Sequence, residues 1–268
     1  MVKIQAAPEH GLTVARDEAG VVTVAIDRPA RKNALTFAMW RALGSLVREI
    51  GEDPATRCIV LRGAGADFCA GADIGEFETV RRDAETARAY EASNSAAFDA
   101  IRHSPAPTIA AISGICFGGG FGVAAACDLR IATEDARFSV PAARLGLAYP
   151  QDAMVDIVSA AGPQMARYLA FSAAAISAAE AKSAGFLLET VADRDALDRR
   201  ILEIAGAIAN NAPLSIRASK AAIHAVATGD PADAARAQAL GDATFDSGDY
   251  AEGRAAFLAR KPPRFTGK

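Results

Sequence analysis

The stretch Thr108 to Asp128, TIAAISGICFGGGFGVAAACD, constrains this chain more than any other. It opens on a β-branched, apolar run, Thr108 to Ile112, of the kind that forms a buried strand. A turn at Ser113-Gly114 follows, then three glycines, Gly118 to Gly120, and an apolar small-residue segment to Cys127. Glycines at the start of a helix let another backbone or a ligand approach the main chain closely. The first N–H groups of a helix lack intrahelical partners and sit at the positive end of its dipole. Such a place suits a carbonyl oxygen that turns negative during a reaction. The same glycines equally serve tight helix–strand packing. A nucleotide-binding reading fits less well, because Val123 stands where the last glycine of G-x-G-x-x-G belongs and no Lys-Ser/Thr follows.

A second stretch, Asp67 to Phe77 (DFCAGADIGEF), decides between these readings. The pair F-C-A-G-A-D-I and I-S-G-x-x-x-G-G-G resembles the crotonase (enoyl-CoA hydratase/isomerase) family. The resemblance continues through CDLRIATEDARFSVPAARLGL (Cys127 to Leu147) and EGRAAFLARKPPRF (Glu252 to Phe265), covering nearly the whole chain. It implies an α/β fold, a crotonase-like spiral of ββα units with a C-terminal helical region. It also implies an acyl-CoA thioester substrate whose oxygen sits between two backbone N–H groups, with no separate cofactor, coenzyme A being part of the substrate. Carried onto this sequence, the donors are the amides of Ala72 and Gly119. Arg31 and Lys32 fall where the family places a basic residue beside the CoA phosphates and adenine. Ala70, Asp73 and Ile74 belong to the segment that lines the CoA groove, Asp73 as an organiser of the loop. Lys261 and Phe265 are candidates for closing over the adenine. The family further implies a homotrimer or a dimer of trimers.

The departure from the family is equally informative. Hydratases carry a glutamate two residues after the third glycine and another directly after the proline of F-x-x-P. Those positions are Gly122 and Ala142 here, and neither moves a proton. Tyr149 and Asp152, in LGLAYPQDAM, are the candidates for proton handling, with Arg144 and Ser139 further back. Tyr149 reads equally as a core or lid residue, and Asp152 as the N-cap of the next helix. Decarboxylation or isomerisation through an enolate needs fewer proton-transfer groups than hydration, and a non-catalytic acyl-CoA binder is the other reading. Glu76 is a further carboxylate close by in sequence.

The remaining chain fits one large core plus an appendage. Strands are expected at Leu12 to Arg16, Val21 to Asp27, Cys58 to Arg62, Leu129 to Thr133 and Phe186 to Val191. Helices are expected from Thr36 to about Ile50, from Thr79 to about His103, and almost continuously after Asp152. A boundary near residue 200 divides a core (1–200) that holds the CoA and acyl site from a helical oligomerisation region (201–268). A net charge of −3 offers no basic footprint for nucleic acid. No apolar run is long enough to span a membrane, and MVKIQAAPEHG lacks a signal pattern, so a cytoplasmic protein is expected. Four cysteines (Cys58, Cys69, Cys116, Cys127), without C-x-x-C spacing, read as buried reduced thiols. His10, His103 and His224, far apart in sequence, offer no metal-ligand pattern.

Overall fold

The computed structural model describes residues 11–268; His10 and the N-terminal stretch examined for a signal lie outside them. Strands β1 (Leu12–Arg16) and β2 (Val21–Ile26) form an antiparallel hairpin. Helix α1 (Phe37–Glu52) follows, and the Thr36 side chain accepts from the Met39 amide as its N-cap. Strand β3 (Cys58–Gly63) pairs parallel with β2. After the loop that carries A-G-A-D come a one-turn helix, α2 (Phe77–Val80), and α3 (Ala84–Arg102). The single long helix expected from Thr79 is thus broken, because Asp83 opens α3 with a capping box closed by Thr86.

Strand β4 (Thr108–Ile112) is buried throughout, and β5 (Ile115–Phe117) leads into α4 (Gly119–Ala126). Then come β6 (Leu129–Thr133), β7 (Arg137–Ser139) and α5 (Gln151–Ser172), which is broken at Gly162-Pro163. Strand β8 (Ala175–Ser177), α6 (Ala178–Ser183), β9 (Glu189–Val191) and α7 (Arg194–Ala209) complete the core. Helices α8 (Pro213–Thr228), α9 (Pro231–Phe245) and α10 (Gly248–Ala259) close the chain.

Two sheets result, a six-stranded one in the order β1-β2-β3-β4-β6-β9 and a three-stranded one in the order β5-β7-β8. Strands β1 to β4 all join the large sheet, and from β5 onward the chain passes back and forth between the small sheet and the large one. The three short strands of the small sheet have no counterpart among the expected strands. Beyond the β1–β2 hairpin the large sheet is parallel, so the loops after β2, β3 and β4 leave from one edge. That edge carries residues 27–36, 64–76 and 113–118, the usual place for a site in a parallel sheet.

Helix α7 lays Leu197, Ile201 and Ala205 against Val60, Ile109 and Ile131 of the sheet. Residue 200 therefore falls within a helix that packs on the core, and the helices beyond the sheet begin at Pro213. The four cysteines are buried and unpaired. Burial pushes the thiols of Cys58, Cys69 and Cys127 up to about 12, so they stay protonated and unreactive. Among the described residues, no helix is long and apolar enough to cross a membrane, and no group of three or more ligating side chains could hold a metal.

Candidate active site

The A-G-A-D segment is laced from both sides. On one flank, the Leu35 amide donates to the Gly71 carbonyl (2.8 Å) and the Asp73 amide to the Leu35 carbonyl (2.9 Å). On the other, Cys69 bridges Cys116 of β5, and the Phe117 amide donates to the Cys69 carbonyl at 2.9 Å. Successive N–H groups of an extended chain point to opposite sides. With Gly71 and Asp73 bonded toward Leu35, the amide of Ala72 points away from it, and no acceptor in the described protein pairs with it.

Gly119 is the first residue of α4, so its amide lacks an intrahelical partner, and no other acceptor among the described residues pairs with it. Gly71 adopts φ +96°, and a Cβ there would lie 2.9 Å from the Gly119 nitrogen. Only glycine allows that approach, and it brings the two unpaired amides side by side. A Cβ at Gly120 would lie 2.3 Å from the Cys69 carbonyl oxygen, so the glycine run also serves tight packing. Two convergent donors at a helix N-terminus can receive an oxygen that gains negative charge.

Around this pair the sequence candidates separate. The Tyr149 hydroxyl lies 3.7 Å from the Cβ position of Gly118, and its ring packs on the core. Burial, reinforced by the nearby charge of Glu91, pushes the phenol well above its ordinary value, so it remains a neutral donor. Asp152 stands in the first turn of α5, which Pro150 caps, and its carboxylate accepts from the Ala153 amide at 3.0 Å. It sits beside the buried Arg102–Asp156 pair (2.6 Å), since the Arg102 guanidinium also reaches the Asp152 carbonyl at 3.5 Å. Asp152 is therefore not the N-cap of α5. Glu76 is engaged elsewhere, accepting from the Phe37 amide at the start of α1 (2.8 Å).

Gly122 faces a ring: a Cβ there would lie 2.6 Å from Cζ of Phe98. Phe98 is buried and packs edge-on against Trp40, with centroids 5.6 Å apart. The space that a side chain at 122 would use is thus filled. Ala142 is half-buried, in the 3-10 turn Pro141–Leu145.

In the proposed CoA groove, Arg31 is exposed and Lys32 closes its turn with φ +50°. The Lys32 carbonyl accepts from the Ala70 amide at 2.9 Å, which places the basic pair beside the A-G-A-D segment. Asp73 pairs with Arg28 at 2.9 Å and accepts from the Gly75 amide at 3.1 Å, which organises the loop. Ile74 is exposed. Lys261 and Phe265 are not brought to these residues. The Phe265 carbonyl accepts from Arg57 (3.1 Å), which precedes β3 at the opposite edge of the sheet. The chain's own tail therefore does not close over its own groove.

Two groups escaped the sequence reading. His103 and His224, distant in the chain, stack edge-on with ring centroids 5.0 Å apart, and each faces an aspartate. Arg81 and Glu91 pair at 2.6 Å on the α3 side of the site. Their signal was the helical spacing of Glu91, Asn94 and Phe98, which puts all three on one face.

The enoyl-CoA hydratase/isomerase family model matches residues 16–268. Crotonyl-CoA hydratase of Syntrophomonas wolfei is 33% identical over 248 residues, spanning 91% of this chain and 93% of that protein. Mouse mitochondrial methylglutaconyl-CoA hydratase is 30% identical over 257 residues, spanning 93% of this chain and 80% of that protein. The solved structure of an enoyl-CoA hydratase/carnithine racemase from Magnetospirillum magneticum superposes with a TM-score of 0.89 at 36% identity, covering 96% of each chain. A family protein from Hyphomonas neptunium reaches 0.91 at 36% identity, covering 98% of this chain and all of that one. The spiral of strands and helices is therefore crotonase-like, and the chain belongs to the enoyl-CoA hydratase/isomerase family.

Proposed function

We propose that this protein is an enzyme on acyl-CoA thioesters, acting through an enolate whose oxygen is held by the Ala72 and Gly119 amides. The observation that carries this reading is the pair of unpartnered backbone donors that Gly71 brings together. Arg31 and Lys32 bind the CoA phosphates and adenine, Ala70, Asp73 and Ile74 form the groove, and no separate cofactor takes part. With Gly122 and Ala142 in place of glutamates, the favoured reactions are isomerisation or decarboxylation, in which Tyr149 donates to or shapes the enolate. Asp152, engaged beside Arg102, is the weaker candidate for proton handling. The ring of Phe98 against Gly122 supports the alternative of a binder without turnover, since it leaves no room there for a carboxylate.

Turnover of a panel of enoyl-, dienoyl- and malonyl-type CoA esters separates the two. Isomerisation or decarboxylation of one member is expected, with crotonyl-CoA hydrated ~10²–10⁴ times more slowly than by ordinary hydratases for each missing acid–base group. Binding of every thioester without turnover would establish the binder instead, and rapid hydration would overturn the role given to the missing glutamates.

The assembly proposed is a homotrimer or dimer of trimers. Ile223 and Val226 on α8, 71% and 86% exposed, and Phe257 and Leu258 on α10 form apolar surface that a partner would cover. In such an assembly Lys261 and Phe265 can reach an adenine only in a neighbour's groove. Sedimentation as a stable species of monomer mass, 27.7 kDa, at micromolar concentration would exclude it.

A further inference from the structure

One face of α3 packs against α4, the helix that begins with the Gly119 amide. Phe98 lies against Gly122, and Asn94, one turn earlier, is buried with its Oδ1 unpartnered among the described residues. Glu91, a further turn back, is half-buried and faces the same way. Its carboxylate forms an ion pair with the Arg81 guanidinium at 2.6 Å.

That guanidinium is held rigidly. Its centre stands 4.6 Å from the ring centroid of Phe77 and 4.2 Å from that of Tyr90. Its side chain is 8% exposed, and two of its nitrogens, Nε and Nη1, have no hydrogen-bond partner. Tyr90 is fixed in turn by the Trp40 indole, which donates to its hydroxyl at 3.0 Å. The Trp40 ring lies 2.6 Å from the Cβ position of Gly119. An unbroken line of contacts thus runs from the Gly119 amide through Trp40, Tyr90 and Arg81 to the Glu91 carboxylate.

The other carboxylates near the site have partners of their own. Asp73 holds Arg28, Glu76 caps α1, Asp156 holds Arg102, and the Asp152 carboxylate accepts from the Ala153 amide. The charge of Glu91 raises the Tyr149 phenol and that of Arg81 lowers it.

We propose that Glu91 is the acid–base residue of this site, a carboxylate supplied from α3 in place of those absent at 122 and 142, with Arg81 as its positioning residue. The assignment rests on the enolate reading above. In the step, the Glu91 carboxylate takes the proton on the carbon next to the thioester carbonyl. The C–H electron pair becomes the new C=C bond, and the carbonyl π pair moves onto the oxygen between the Ala72 and Gly119 amides. Return of the proton from the Glu91 carboxyl, to the same carbon or along the acyl chain, regenerates the carboxylate.

Deuterium uptake from D2O at the α-carbon of butyryl-CoA and octanoyl-CoA, followed by mass spectrometry, reads this step whatever the overall reaction is. The wild-type chain is expected to exchange. Glu91→Gln should exchange about 100-fold more slowly or worse, while binding both thioesters within threefold of wild type. Glu91→Asp should fall between them, and added formate should restore part of the exchange to Glu91→Ala, which a salt bridge that merely staples α3 would not allow. Arg81→Met should slow exchange with unchanged binding, and Arg81→Lys should recover part of the loss. Glu91→Gln that exchanges like wild type overturns the assignment and leaves the enolate reading intact. The same holds if Tyr149→Phe alone abolishes exchange. Loss of binding and thermal stability in parallel with exchange, with no rescue by formate, reduces the pair to a structural staple. A wild-type protein that binds both thioesters and exchanges neither overturns the enolate reading along with Glu91.

Discussion

The two ends of α4 are built on opposite terms. At its start, Gly119 presents an amide with no partner, and the loop around Gly71 brings the bare amide of Ala72 beside it. At its end, Arg130 of β6 places its guanidinium on the last carbonyls. Nη1 donates to Ala124 (3.3 Å), Ala125 (3.4 Å) and Cys127 (2.5 Å), while Nε donates to Phe186 (2.6 Å). The burial of Arg130 lowers its pKa, yet the cation sits where the helix dipole is negative and is surrounded by acceptors. Polar groups with every bond satisfied hold the fold, whereas those left unsatisfied are available to a substrate. A groove of 1310 Å³ also opens at the capped end, between α5 and α8, lined by Val155, Val158, Ile216 and Ile223. Its lining includes Ala125, Ala126 and Cys127 at the end of α4 and none of the residues around the two amides.

Gly119→Pro tests the bare end and has the largest expected effect. It removes one donor, but it also adds a Cβ where the Trp40 ring stands. Gly119→Ala adds the same carbon and keeps the amide, so the ratio between the two variants isolates the hydrogen bond. About 3 kcal/mol, some 10²-fold in turnover, is expected between them. Equal turnover in two folded variants would remove Gly119 from the oxyanion pair.

Arg130→Met tests the capped end. It leaves several buried carbonyls unpaired and should cost about 3 kcal/mol in unfolding free energy. Turnover per folded molecule should stay within a few-fold of wild type. A large catalytic loss at undiminished stability would show that the two ends are not separable.

Asp73→Asn sharpens the contrast at the smallest scale. Burial opposes ionisation of Asp73, but the Arg28 pair and the Gly75 amide outweigh it and hold its pKa below the ordinary value. A carboxylate depressed in the fold contributes stability above its unfolded value of about 3.9, and that contribution disappears as pH falls through the folded value. At pH 7 the variant should lose about 1 kcal/mol or less. In acid melts its difference from wild type should shrink to nothing, and a difference that grows below pH 3 would refute the pairing.

The parts most legible in the sequence were those fixed by local chemistry. Thr36 caps α1, Pro213 opens α8, and the β-branched run at Thr108–Ile112 is a buried strand. The small sheet was illegible because β5, β7 and β8 are three residues each, too short for alternation to show. The family motifs pointed to Ala72 and Gly119 because a close backbone approach demands glycine at fixed places. Glu91 stayed hidden for the opposite reason. In an Ala-rich helix, one carboxylate on the inner face resembles any solvated glutamate until the fold sets Arg81 beside it. The tail at Phe265 was assigned by motif alone, and which edge of a sheet a tail meets depends on the path of every helix before it.

Phe98 has a consequence for how this site could change over time. With its ring against Gly122, no single exchange at 122 yields a seated carboxylate; the ring must first be made smaller, and that intermediate leaves a void beside Trp40. A void of that kind costs about 3–5 kcal/mol. The route from this protein to a two-glutamate hydratase therefore crosses a valley of poorly folded sequences.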